Sequence, residues 1–219
     1  MDEKMIQEMK KQHLDSYRTA IMEIISNNTN VLMDDIRSLI DKPPLDSMDS
    51  IRNKFLVCAK KNKTVVNTDV LDSIVGSYRE DVTTCFDKIR SLREKTLSSK
   101  LKHFSFVEDR DVFVFYKKDF TSLNKDIRKI LKEQLYISSE KKIIPYVSSV
   151  FQDDIDNALK EKMITEISKF LKSTYQKQVL DGFDIKVLVK DTILMNNIKE
   201  QSDRYLFTLE NSHLLNDFE

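Results

Sequence analysis

Two glycines and three prolines in 219 residues set the firmest limit on what this chain can fold into. Tight turns, β-bulges and close backbone approaches draw on glycine, which alone enters the left-handed region without steric cost. Sandwiches, barrels and doubly wound α/β sheets need many such positions. Long helices joined by few connections do not. The composition agrees: 33% charged residues beside 40% hydrophobic is the balance of amphipathic helices with charged outer faces.

Apolar periodicity places the helices. Ile6, Met9, Leu14, Tyr17, Ile21, Ile24 and Ile25 recur at helical spacing, and the polar run Ser26-Asn27-Asn28-Thr29-Asn30 reads as a break. A short helix over about 31–41 is ended by Pro43-Pro44. Asp46 reads as the N-cap of a helix carrying Met48, Ile51, Phe55 and Cys58, closed by the polar loop Lys60-Lys61-Asn62-Lys63. From Thr68 to about Leu101 the positions Leu71, Val75, Tyr78, Val82, Cys85, Ile89, Leu92 and Thr96 alternate at spacings of four and three. That is a heptad seam. Ile74, Phe86 and Leu97 widen it, which favours a helix buried in a bundle over a two-stranded coiled coil. Gly76, inside this helix, is expected to mark a close helix–helix approach.

Helix resumes near Ser122, with Leu123, Ile127, Ile130, Leu131 and Leu135 on one face. A long helix is expected from Ser138-Ser139 to about Gln178, with Pro145 near its start and Val147, Phe151, Ile155, Leu159, Met163, Ile167 and Leu171 as its stripe. Asp181-Gly182 reads as a helix stop. Asp184 then caps a last helix that turns Ile185, Leu188, Met195, Ile198, Tyr205 and Leu209 inward. The expectation is an all-α bundle of about six or seven helices, two or three of them long, forming a single helical domain over 1–219. A soft boundary at 103–120, between N-terminal and C-terminal helical halves, is the alternative division.

One segment departs from this pattern. "HFSFV" (103–107) and "VFVFY" (112–116) are aromatic and β-branched runs separated by charged residues, the signature of a short β-hairpin near residues 103–116. Its aromatic residues Phe104, Phe106, Phe113, Phe115 and Tyr116 are the candidate protein-binding set. The chain balances 36 basic against 36 acidic residues, but 88–103 is locally basic. Lys88, Arg90, Arg93, Lys95, Lys100 and Lys102 there form the candidate set for contact with anionic lipid or nucleic acid.

Catalytic constellations are not found. No glycine-rich phosphate loop of the G-x-x-x-x-G-K or G-x-G-x-x-G type is present. His13, His103 and His213 lack metal-ligand spacing, and Cys58 and Cys85 fall on apolar stripes as reduced core residues. Asp153-Asp154-Ile155-Asp156 lacks the opposing acidic cluster that a magnesium-dependent helical enzyme needs, and a solvated helix start explains it. No catalytic, cofactor-binding or metal-binding residue is assigned, and no cofactor is expected. With neither a signal-peptide run nor a stretch approaching ~20 apolar residues, a soluble cytoplasmic protein is expected. The reading is a non-enzymatic protein–protein interaction or assembly protein, a scaffold or adaptor acting through helical faces and the aromatic hairpin 103–116. It would bind protein partners or self-associate. The alternative is a membrane-surface or nucleic-acid-binding adaptor using the basic-aromatic region 88–118.

Overall fold

A computed structural model describes residues 3–41, 47–100, 105–107, 110–112, 115, 117–151 and 155–211. The chain is all-α, with eight α-helical segments in six continuous helical runs among the described residues. These are α1 (Glu3–Asp41), α2 (Ser47–Lys61), α3 (Thr68–Ser99), α4 (Lys117–Leu131), α5 (Ser138–Lys142), α6 (Val147–Val150), α7 (Asn157–Leu171) and α8 (Leu180–Asn211). A π-helical stretch, Lys132–Ile137, joins α4 to α5, and a second, Lys172–Val179, joins α7 to α8. Two three-residue extended stretches, β1 (Ser105–Val107) and β2 (Arg110–Val112), pair antiparallel with Phe106 opposite Asp111. This pairing is shorter than the ribbon expected over 103–116. Phe104, Phe113 and Tyr116, which would have given that ribbon its aromatic face, lie outside the described residues.

The chain forms two compact units: Met1–Leu32 with Ser91–Leu123 and Val187–Glu219, and Met33–Arg90 with Asn124–Lys186. The division does not fall at 103–120. That segment lies inside the first unit, and each unit draws on both halves of the sequence.

In the first unit, Tyr17, Ile21, Ile25 and Leu32 of α1 are buried with Leu97 of α3 and Val187, Leu194, Ile198 and Tyr205 of α8. The break expected at Ser26–Asn30 does not occur: α1 is one helix of 39 residues. Asn28 and Thr29 are buried because they continue the inward stripe of α1. Asn28 serves a polar network within that core. Arg93, fully buried on α3, donates from Nη2 to Asp191 Oδ1 at 2.8 Å and to Asn28 Oδ1 at 2.7 Å. Asn28 in turn donates to the Lys190 carbonyl at 2.9 Å. A hydrogen bond of 2.7 Å links Tyr17 Oη to Ser202 Oγ, and Tyr205 stacks on Tyr17 and His13.

The second unit is built on the seam expected for α3, whose Leu71, Val75, Tyr78, Val82, Cys85 and Ile89 are all buried. Tyr78 Oη donates to the Leu135 carbonyl at 2.8 Å, and Phe55 stacks on Phe151. The long helix expected from Ser138 to Gln178 is interrupted. Phe151 is extended with ψ 143, and Asp156 restarts the helix by accepting from the Leu159 N–H at 2.7 Å. Pro145 sits in a 3₁₀ turn, Ile144–Tyr146, where its missing N–H costs little.

Neither glycine has the role expected of it. Gly182 does not stop a helix; it lies within α8 without positive φ. A Cβ there would stand 2.6 Å from Leu39 Cδ2, so it is Gly182 that allows a close approach. Around Gly76 a Cβ would meet nothing within 4 Å. Meanwhile Lys63, at the end of α2, takes the left-handed φ of 54 that glycine adopts freely.

Two predictions follow from this placement. Gly76→Ala removes backbone entropy from the unfolded chain and Lys63→Gly relieves a left-handed lysine, so each is expected to stabilise by about 0.5–1 kcal/mol. Thermal melts of the two variants check this, and an unchanged or lowered midpoint for Gly76→Ala would contradict it. The second concerns the buried ion pair. Removing one partner strands a charge, so Arg93→Met and Asp191→Leu should each cost about 3 kcal/mol or more, while the double variant recovers most of that loss. Urea denaturation of all four proteins reads the cycle, and additive losses would show that the two residues act independently.

Candidate functional site

α8, which runs from the second unit into the first, has apolar residues on its outer side as well as its inner side. Its inward positions are Phe183, Val187, Asp191, Leu194, Ile198, Ser202 and Tyr205, spaced by three and four. Of the expected inward stripe, Ile198 and Tyr205 are buried, but its first members are not. Ile185 and Leu188 face outward, and with Val189 and Ile193 they remain exposed at 67%, 62%, 49% and 41%. Their spacing of three and four sets them on one outer face of the helix. Asp191 and Ser202 hold core positions that the sequence reading left to apolar residues. The buried Arg93 accounts for the first and Tyr17 for the second. Ile185, Leu188, Val189 and Ile193 thus lie together opposite the packed side of the helix.

The two sets of residues expected from sequence fare differently. Phe115 is buried against Phe120, ring centroids 5.3 Å apart, so it is corrected from partner contact to core. Phe106 lies on β1, while Phe104, Phe113 and Tyr116 fall outside the described residues. In the basic set, Arg93 is corrected outright: it is fully buried in the ion pair with Asp191 and meets no solvent. Lys100 pairs with Asp119 at 2.6 Å. Lys88 and Lys95 are exposed and Arg90 is half-buried. Lys88 and Arg90 belong to the second unit and Arg93, Lys95 and Lys100 to the first, and Lys102 is outside the described residues.

Both cysteines are free and buried. Burial pushes the Cys85 thiol up to about 12, and burial with the nearby Glu166 raises Cys58, the reverse of what a reactive thiolate requires. Among the described residues no group of three or more His, Cys, Asp or Glu is placed to hold a metal ion. Asp156 is an N-cap, and Asp153 and Asp154 lie outside the described residues. Among the described residues no helix is long and apolar enough to cross a membrane.

The charged side chains that are paired hold the second unit together. Glu166 accepts from Lys54 at 2.8 Å and lies 3.7 Å from Lys61. The Lys54 hydrogen bond holds its carboxyl below the ordinary range. Burial alone would push Asp81 up, but hydrogen bonds from Lys142, at 2.8 Å, and Ser138 outweigh it, so this carboxyl too is lowered.

The chain matches no protein-family model, and neither a curated protein nor a solved structure shows significant similarity to it.

The two lowered carboxyls give a pH dependence with a defined sign. Each titrates lower folded than unfolded, so the stability it adds is complete above the ordinary values of 4.5 and 3.8 and is lost as pH falls through the folded values. The urea midpoint is expected to be level near neutrality and to fall in the acid range below about pH 4. Glu166→Gln should be less stable at pH 7 and lose less on acidification. An acid slope unchanged in this variant would exclude Glu166 as a source.

Proposed function

We propose that the protein is a non-enzymatic interaction or assembly protein, and that the outer face of α8 meets the same face of a second copy. The observation that carries this is the exposed stripe Ile185, Leu188, Val189 and Ile193. Its geometry suits a two-fold contact. Ile185 and Ile193 lie four residues either side of Val189, so antiparallel apposition about Val189 sets Ile185 of one copy against Ile193 of the other. One patch thereby covers itself, as an isologous interface requires. The stripe spans nine residues, about 12 Å of helix, so the contact is smaller than a standard interface and the association weak. The aromatic segment 103–116 keeps a part in this reading as a second contact through Phe104, Phe106, Phe113 and Tyr116. The two free, buried cysteines suit a reducing cytoplasm. The membrane-surface or nucleic-acid alternative is less favoured, because two of its cations, Arg93 and Lys100, are already ion-paired.

Light scattering over a wide concentration range tests the reading. The wild-type chain is expected to shift from monomer toward dimer as concentration rises, and Leu188→Glu, a substitution at an exposed position, to remain monomeric with unchanged helicity. A wild-type monomer at every concentration, or a dimer indifferent to Leu188→Glu, would overturn the assignment to this face.

A further inference from the structure

We propose that a groove in the second unit binds a small organic ligand carrying two or more phosphate groups. The groove holds about 590 Å³, within the range of small-molecule sites, about 300–1,000 Å³. Arg128 of α4 and Lys132 line it from one stretch of chain; Lys169 of α7, Lys172 and Ser173 line it from another. Asp181, beside Leu180, is the one acid among the lining residues. Four cations against one carboxylate give the lining a net charge of +3. Asp184, which accepts from Arg128, reduces this to +2 when it is included. One phosphate group brings about −1.5 to −2 near neutral pH, so two match or exceed the positive charge of the groove.

Among the described residues some lysines of this unit are ion-paired and others, such as Lys60, Lys63, Lys125 and Lys141, are not; the groove lysines are set apart by lining one concavity together. Lys54, Lys61, Lys129, Lys142 and Lys186 of the same unit each stand within ion-pair distance of a carboxylate. Lys132, Lys169 and Lys172 make no ion pair or side-chain hydrogen bond among the described residues. In a chain with as many acids as bases, three lysines without an ion pair lining one open groove make it locally positive, and phosphate oxygens are acceptors suited to it. Ser173 Oγ donates to the Phe170 carbonyl at 3.1 Å, which leaves anion contact to the cations.

A second observation is independent of charge. Lys132 and Lys172 are each the first residue of a π-helical stretch, and these two stretches pack against each other. A π turn gives up regular helical hydrogen bonding and shifts the phase of every residue after it. Such turns occur frequently at functional sites. Here both begin at a cation of the same groove.

Calorimetric titration at physiological ionic strength with inorganic pyrophosphate and with inositol hexakisphosphate tests for a soluble ligand. Flotation with phosphatidylcholine vesicles, with and without phosphatidylinositol bisphosphate, tests for a lipid headgroup. Two variants that remove equal charge are compared, both at exposed positions: Lys169→Gln/Lys172→Gln in the groove and Lys60→Gln/Lys141→Gln outside it. Binding is expected in at least one arm, weakened about tenfold or more by the groove variant and unchanged by the other. Binding in the soluble arm alone assigns a free phosphate compound, and binding in the vesicle arm alone assigns a headgroup. No binding in either arm, or equal weakening by the two variants, would overturn the proposal.

Discussion

The guanidinium of Arg93 has to be satisfied inside an apolar interior, and the first unit is arranged around that demand. Apolar packing is non-directional, so it tolerates a helix sliding along its neighbours. The Arg93 network does not, because Nη2 must reach Asp191 and Asn28 within hydrogen-bond distance at the same time. Slipping α8 by about one turn would bring Val187 or Met195 toward the place of Asp191. An ammonium- or guanidinium-type charge left without its counter-ion costs several kcal/mol in such surroundings. The pair therefore sets the relative register of α1, α3 and α8 within this unit, a role best attested for single polar residues in otherwise apolar helical interfaces. Nε and Nη1 of Arg93 find no partner among the described residues, so the pairing acts through one nitrogen alone.

Much of the fold was legible because its helices follow the 3.6-residue period closely. The seam from Leu71 to Ile89 is buried at every position, and α1 buries Tyr17, Ile21 and Ile25. The errors share one cause. Asn28 stands in phase with Ile21, Ile25 and Leu32, yet its polarity and the company of Ser26, Asn27, Thr29 and Asn30 led local propensity to end the helix there. Asp191 stands in phase with Val187, Leu194 and Ile198, but the more apolar Ile185 and Leu188 drew the start of the expected stripe onto the outer side of α8, while its later members Ile198 and Tyr205 are buried. A polar residue in phase with an apolar stripe signals a buried partner elsewhere in the chain, and that partner cannot be located by local reading. Glycine was misread for the same reason: whether Gly76 or Gly182 meets a neighbouring helix depends on Leu39, far away in sequence.

The candidate surfaces were less legible than the fold. Charge density along the chain pointed to 88–103, where helical geometry buries Arg93 and pairs Lys100. The basic groove instead gathers Arg128 and Lys132 with Lys169 and Lys172, which are some forty positions apart and unremarkable where they stand. Its π turns carry no residue signature that a periodicity of 3.6 would reveal. A run of like charge is a property of sequence; a positive cavity is a property of packing, and only the second concentrates a field.

The outer face of α8 shows why an apolar residue out of phase is informative. Between Ile185 and Ile193 this helix puts Val187 and the paired Asp191 inward and four apolar residues outward. Among the described residues the outward four remain exposed. The exposed side chains are already about half shielded by their own helix, so covering four of them yields a few kcal/mol at most. That is no larger than the cost of bringing two molecules together. An interface of this kind closes only at high local concentration, or with a second contact to share that cost. The proposed α8 contact would therefore be weak, and that is the physical reason to test for it in concentrated rather than dilute solution.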